Sequence, residues 1–228
     1  MDIENTFIVE ANLRMNKTER NSGHHLDSSK QSLTYTARWL SAPFGFEIME
    51  TNLKEIERIS KLKRDENWDF RTFLKGYDIP LEELDSIVHE LFDYVSSEID
   101  CTRCANCCKK VSPLLKKNDI KKLSDNFGMP IDEFKKQFLK KNDEGDYAFK
   151  MLPCPFLENN TCSQYKYRPK DCRSYPHLHK EDFISRLISV INNYSICPIV
   201  FNVYELLKER IWEDSMLNDL GESIDFED

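Results

Sequence analysis

PLEELDSIVHELFDYVSSEIDCTRCANCC, residues 80–108, joins the most regular helix pattern of the chain directly to its densest run of thiols. Leu84, Ile87, Val88, Leu91, Phe92 and Val95 recur at helical spacing, and Pro80 stands where a helix tolerates proline, at its start. The pattern runs to about Ile99 and delivers the backbone into Cys101. Four of the eight cysteines then fall within CTRCANCC, at 101, 104, 107 and 108. His89 lies on the helix itself and reads as structural or solvated.

Working outward toward the N-terminus, Leu53, Ile56, Ile59 and Leu62 predict a helix from about residue 52, and ENWDFRTFLKG predicts a short aromatic one ending near Gly76. Residues 1–48 are rich in Asn, Ser, Thr and His without apolar period, and are expected to form a poorly ordered extension, with His24 and His25 as solvated loop residues. Organised sequence, residues 49–228, follows. Toward the C-terminus, residues 118–141 predict two short helices broken at Gly128-Met129-Pro130, over a core of Leu123, Phe127, Phe134 and Phe138. Residues 109–141 carry ten lysines against four acids. Without arginine or grouped amide side chains, that excess reads as a solvated face rather than a nucleic-acid surface. Residues 151–179 hold four prolines and predict loops, where ligands can be aimed at a site. DFISRLISVINNY and VFNVYELLKERIWEDSML predict closing helices, and GESIDFED an acidic tail. The fold class is therefore mainly α, with helices around an irregular cysteine-rich loop region.

The chain has 228 residues, 40% of them hydrophobic, and 14 phenylalanines, enough for a core that needs no disulfide staples. A net charge of −8 argues mildly against wrapping nucleic acid. No stretch offers the roughly 18 apolar residues of a membrane span. MDIENTFIVEANLR lacks an apolar run with a small-residue cleavage site, so a reducing, cytoplasmic location is expected. Crowded thiols in such a compartment point to metal or redox chemistry, and the C-x2-C-x2-C-C spacing is poor disulfide geometry.

The remaining cysteines are Cys154, Cys162, Cys172 and Cys197. Two-residue gaps let Cys101, Cys104 and Cys107 converge on one centre with backbone amides turned toward the sulfurs. A zinc ribbon needs a second C-x2-C pair, which is absent. Ferredoxin-type sites combine such a triple with a cysteine followed by proline, and Cys154-Pro155 and Cys197-Pro198 both offer that pair. Adjacent side chains diverge, so Cys107 and Cys108 serve two centres, or one ligates while the other stays a reactive thiol. Arg168 and Arg173 bracket Cys172 and would compensate an anionic centre or form ordinary salt bridges. Tyr175 would donate to a sulfur or ligand, or simply pack. His177 and His179 read as exposed or as supporting groups in preference to ligands.

CxxCxxCC at 101–108 followed by CPFLENNTCSQYKYRPKDCRSYP at 154–176 resembles the YkgJ-type cysteine cluster family, described as zinc- or iron-chelating. The resemblance spans about residues 68–197, including WDFRTFL. It implies that Cys101, Cys104, Cys107, Cys108, Cys154, Cys162 and Cys172 are the family's cysteine set, with Cys197 a further member. A related cluster occurs in the flagellin lysine methylase family, where an iron–sulfur centre is implied. This chain shows no glycine-rich nucleotide loop, so methyl transfer is not carried over.

The resulting expectation is a metal-binding protein with a 4Fe–4S iron–sulfur cluster on Cys101, Cys104, Cys107 and one remote cysteine, serving electron transfer or a redox or modification reaction. A zinc-stabilised interaction module, and a metal-dependent enzyme modifying protein or RNA through groups such as His177, His179, Tyr175 or Arg173, are the alternatives. A redox or protein partner is implied, without identity.

Overall fold

The computed structural model describes residues 49–213. The extension at 1–48, His24 and His25 within it, and the acidic tail lie outside the described residues. Asn52 caps helix α1, Leu53–Leu62, its side-chain oxygen accepting from the Lys54 and Glu55 amides at 3.0 and 3.4 Å. Ile56 and Ile59 face inward, whereas Leu62, expected on the same stripe, is 71% exposed. Helix α2, Arg64–Gly76, buries Phe70 and Leu74. Helix α3, Leu81–Glu98, has Pro80 as its N-cap and Glu82 and Glu83 in its first turn, where acids complement the helix dipole.

The predicted closing helices form as a 3-10 turn, Phe183–Arg186, then α8, Leu187–Tyr194, and α9, Pro198–Leu207. Pro198 occupies the first turn of α9, where its missing N–H costs nothing. Among the described residues the α-helix ends at Leu207: a π-helical turn covers Lys208–Glu213 and turns Trp212 onto Phe70, ring centroids 5.3 Å apart. Together α1, α2, α3, α8 and α9 enclose one apolar core, including Val88, Val95, Tyr194, Cys197 and Tyr204. Asp85 on α3 accepts from the Asp182 and Phe183 amides at 2.6 and 2.9 Å and so holds the α8 arm. Asn202 pairs both ways with the Glu50 backbone, at 3.0 and 2.9 Å, tying the start of the described chain to α9.

A second, smaller core holds Leu115, Ile120, Leu123, Phe134, Leu139, Phe149 and Phe156. Here α4, Asn106–Lys110, is followed by α5, Lys117–Asn126, and α6, Ile131–Phe138, broken near Gly128 as expected. Phe127, predicted as core, is 38% exposed, although its ring meets Phe134, Phe138 and Phe156. Three short strands, β1 (Leu114–Leu115), β2 (Leu139–Lys141) and β3 (Tyr147–Phe149), form an antiparallel sheet in the order β1-β3-β2. Strands β4 (Leu157–Glu158) and β5 (Thr161–Cys162) pair as a hairpin, and α7, Lys170–Ser174, completes the region. Among the described residues the fold is mainly α, and no helix is long and apolar enough to cross a membrane.

Candidate metal centre

Helix α3 stops at Ile99, and Asp100 takes over as a local cap, accepting from the Thr102 amide at 3.0 Å and its hydroxyl at 2.6 Å. That bends Cys101–Arg103 into a 3-10 turn. Ala105 then adopts a left-handed conformation, φ 52°, unusual for a residue with a Cβ, and reverses the chain into α4. Two side-chain amides anchor this loop. Asn106 donates to the Ile196 carbonyl at 2.7 Å, and Asn160 donates to the Arg103 carbonyl at 2.8 Å. The first tie places the loop beside Cys197, the second beside the β4–β5 hairpin that carries Cys162.

The remote thiols are brought in by backbone contacts. The Cys154 amide donates to the Cys108 carbonyl at 2.7 Å. Asn159 and Asn160, both at positive φ, make the two-residue turn that folds β5 back on β4 and sets Cys162 opposite Leu157. Asp119 accepts from the Lys170 amide at 3.0 Å and Asp171 from the Leu114 amide at 3.0 Å, fixing α7 and its Cys172 against the smaller core. Cys197 is the N-cap of α9, and the Ile199 and Val200 amides point at its sulfur. The Phe156 and Gln164 amides likewise point at the sulfurs of Cys154 and Cys162.

All eight cysteines are free: Cys101 is exposed, Cys197 buried, and the rest half-buried. Cys197 lies within electrostatic reach of Cys101, Cys104 and Cys107. Cys108, Cys154, Cys162 and Cys172 are each within such reach of the other three. Burial pushes Cys154 up to about 11, Cys172 to about 12 and Cys197 to about 11, and raises Cys101 and Cys162 as well. The Cys107 thiol hydrogen-bonds Cys108, which holds the Cys107 proton on and favours the Cys108 thiolate.

Arg168 stacks over Tyr165 at 3.8 Å, and its charge reaches Cys101, Cys108 and Cys162. Arg173 is exposed and donates to the Arg168 carbonyl at 2.7 Å, supporting the loop that presents Arg168. The Tyr175 hydroxyl donates to Asn193 at 2.8 Å and meets the Cys197 thiol. Both nitrogens of His177 are engaged, Nδ1 by the Ser174 hydroxyl at 3.0 Å and Nε2 by Asp171 at 3.3 Å. His179 is exposed beside Phe92, and His89 lies 3.4 Å from the Lys180 carbonyl. Asn106 and Asn160, which hold the cysteine loop, were not singled out by spacing; the Asn159-Asn160 pair between two short strands is the signal for one of them.

Among the described residues, no three His, Cys, Asp or Glu side chains stand close enough together to hold an ion. The chemistry of the thiols fits a thiophilic metal: the donors are sulfurs, and backbone amides point at three of them, where they would stabilise thiolates.

No curated protein and no solved structure matches the chain. A family model does: CxxCxxCC, described as a "putative zinc- or iron-chelating domain", over residues 100–189. That span takes in every cysteine except Cys197, which the folded chain returns to the others. The similarity to the CxxCxxCC family therefore covers residues 100–189, the span that carries seven of the eight cysteines.

Proposed function

We propose that the chain is an iron–sulfur protein whose Cys101, Cys104, Cys107 and Cys197 hold a 4Fe–4S cluster. The observation that carries this reading is the position of Cys197. It comes from the far end of the sequence, is followed by proline, and at the N-terminus of α9 lies within electrostatic reach of all three thiols of the C-x2-C-x2-C loop. There two backbone amides and the positive helix end favour thiolate. Tyr175 stands at the same sulfur, and Arg168 lies within reach of Cys101, so donors and positive charge border an anionic centre. Bound there, the cluster would supply one-electron chemistry. Cys101, exposed at the edge of the set, offers the path by which electrons reach a protein partner.

Purification of the full chain without oxygen, with a visible spectrum and iron, sulfide and zinc analysis, tests this. A brown protein with a broad thiolate-to-iron band and matching iron and sulfide is expected. A colourless chain holding stoichiometric zinc and neither iron nor sulfide would contradict it and leave a zinc module.

A further inference from the structure

We propose that the face around the exposed Cys101 is a docking surface for an acidic one-electron carrier protein, whose surface carboxylates meet Arg103, Lys109, Lys166, Arg168 and Arg173. That the partner carries electrons rests on reading the cysteine loop as an iron–sulfur centre.

Residues 100–110 and 151–176, which frame the thiols, carry seven Lys and Arg against three acids, in a chain whose net charge is −8. Hydrogen bonds bring these cations to one place. Asn160 donates to the Arg103 carbonyl at 2.8 Å and so sets the β4–β5 hairpin against the cysteine loop. The 3-10 turn Tyr165–Tyr167, with Lys166, follows that hairpin directly. Arg168 comes next, lies over the Tyr165 ring at 3.8 Å, and accepts Arg173 on its carbonyl at 2.7 Å. Lys109 adjoins Cys108, whose carbonyl receives the Cys154 amide at 2.7 Å.

The charges of this face are not neutralised within the described residues. None of the five cations makes an ion pair there, whereas Lys61, Lys121 and Lys208 each hold one. Of the acids in the same segments, Asp100 is taken up by the Thr102 amide and hydroxyl, and Asp171 by His177 and the Leu114 amide. That leaves Glu158 against five cations. A cluster of one sign steers partners of the other sign and fixes their register.

Apolar side chains are interleaved with the charges. Met151, Leu152 and Tyr165 are 54, 49 and 48% exposed, and the first two lead through Pro153 into Cys154. Tyr, Met and Arg are enriched at protein interfaces. A phosphate backbone needs cations and gains nothing from Met or Leu, so the mixture favours a protein over a nucleic acid. Encounters between electron carriers bury less than about 1,200 Å², so a patch of a few such residues suffices.

Calorimetric titration of the full chain, purified without oxygen, with a plant-type ferredoxin as the acidic probe tests this. Binding is expected, and it should weaken about tenfold or more between about 50 and 300 mM salt. K109E/K166E should weaken it about tenfold, while R64E/K75E, an equal charge change on α2, should leave it within about twofold. Carbodiimide, which joins lysines to carboxylates, should couple Lys109 and Lys166 of the unaltered chain to the probe. Coupling of these lysines to acids of residues 214–228 of the same chain would give the face to its own tail and overturn the proposal. So would tighter binding of a duplex RNA of about 20 base pairs, binding indifferent to salt, or no binding of the probe. If the chain carried iron and sulfide yet failed these tests, the docking surface alone would fall. If it bound the probe as expected but held neither iron nor sulfide, the iron–sulfur reading would fall and the face for an acidic protein would stand.

Discussion

Zinc affinity of the reduced chain falls about a thousandfold for each unit by which pH drops through neutrality, because roughly three protons must leave the thiols for an ion to enter. Burial lifts Cys154 to about 11 and Cys172 to about 12 and raises Cys162. It likewise lifts Cys197 to about 11 and raises Cys101, and the hydrogen bond to Cys108 keeps Cys107 protonated. These groups are thiols at pH 7 and thiolates when ligated, so protons compete with metal and affinity rises with pH. Competition against a chromophoric chelator at several pH values measures the slope. A slope near zero would mean that these thiols do not ligate. Cys108 works in the opposite direction: its thiolate is already favoured, so it adds little to the proton release.

Glu205→Ala destabilises the chain by about 3 kcal/mol or more, the usual penalty for stranding one partner of a buried ion pair. Glu205 lies on α9 and accepts from Lys208 at 2.8 Å, from Lys63, and from the Tyr194 hydroxyl at 2.8 Å. The Lys208 side chain is only 7% exposed and keeps Glu66, at 2.7 Å, as its remaining acid. Burial acts to raise the Glu205 carboxyl, but Lys208 and Lys63 outweigh it and hold the group below its ordinary 4.5. A carboxylate lowered on folding contributes stability above pH 4.5 and loses it as pH falls through the lowered value. Urea unfolding at pH 7 and at acid pH should therefore show a large loss for Glu205→Ala, and in Glu205→Gln a flatter acid limb. A loss below about 1 kcal/mol at pH 7 would place this network among weak surface pairs.

The helices were legible because their apolar residues recur over several turns. Leu84 to Val95 leaves no other face for α3 to bury, and the break at Gly128-Met129-Pro130 separates α5 from α6 where expected. The strands were not legible, for a physical reason: β1, β4 and β5 have two residues each and β2 and β3 three, too short to show alternation. One hint was present. Asn142 to Asp146 with Gly145 at φ 83° is a turn between Lys141 and Tyr147, the signal of a hairpin. The change of helix type at Lys208 was not legible, because Leu206, Leu207, Ile211 and Trp212 keep an apolar pattern while the backbone passes from α to a π-helical turn.

For the site, spacing picked out the thiols, because C-x2-C-x2-C-C has few other uses. It could not pair them. The return of Cys197 to the 101–107 loop depends on the packing of α9 against α3 and on the Asn106–Ile196 hydrogen bond, contacts across some ninety residues that leave no local trace. The same holds for Arg173, whose side chain supports the Arg168 carbonyl instead of facing a sulfur.

X-ray absorption at the metal edge of the purified full chain tests the central claim most directly, since it reads the ligand atoms whichever metal is present. The account predicts a first shell of sulfur alone, at about 2.3 Å for zinc. A shell of nitrogen and oxygen, or a chain that holds no metal, would contradict it.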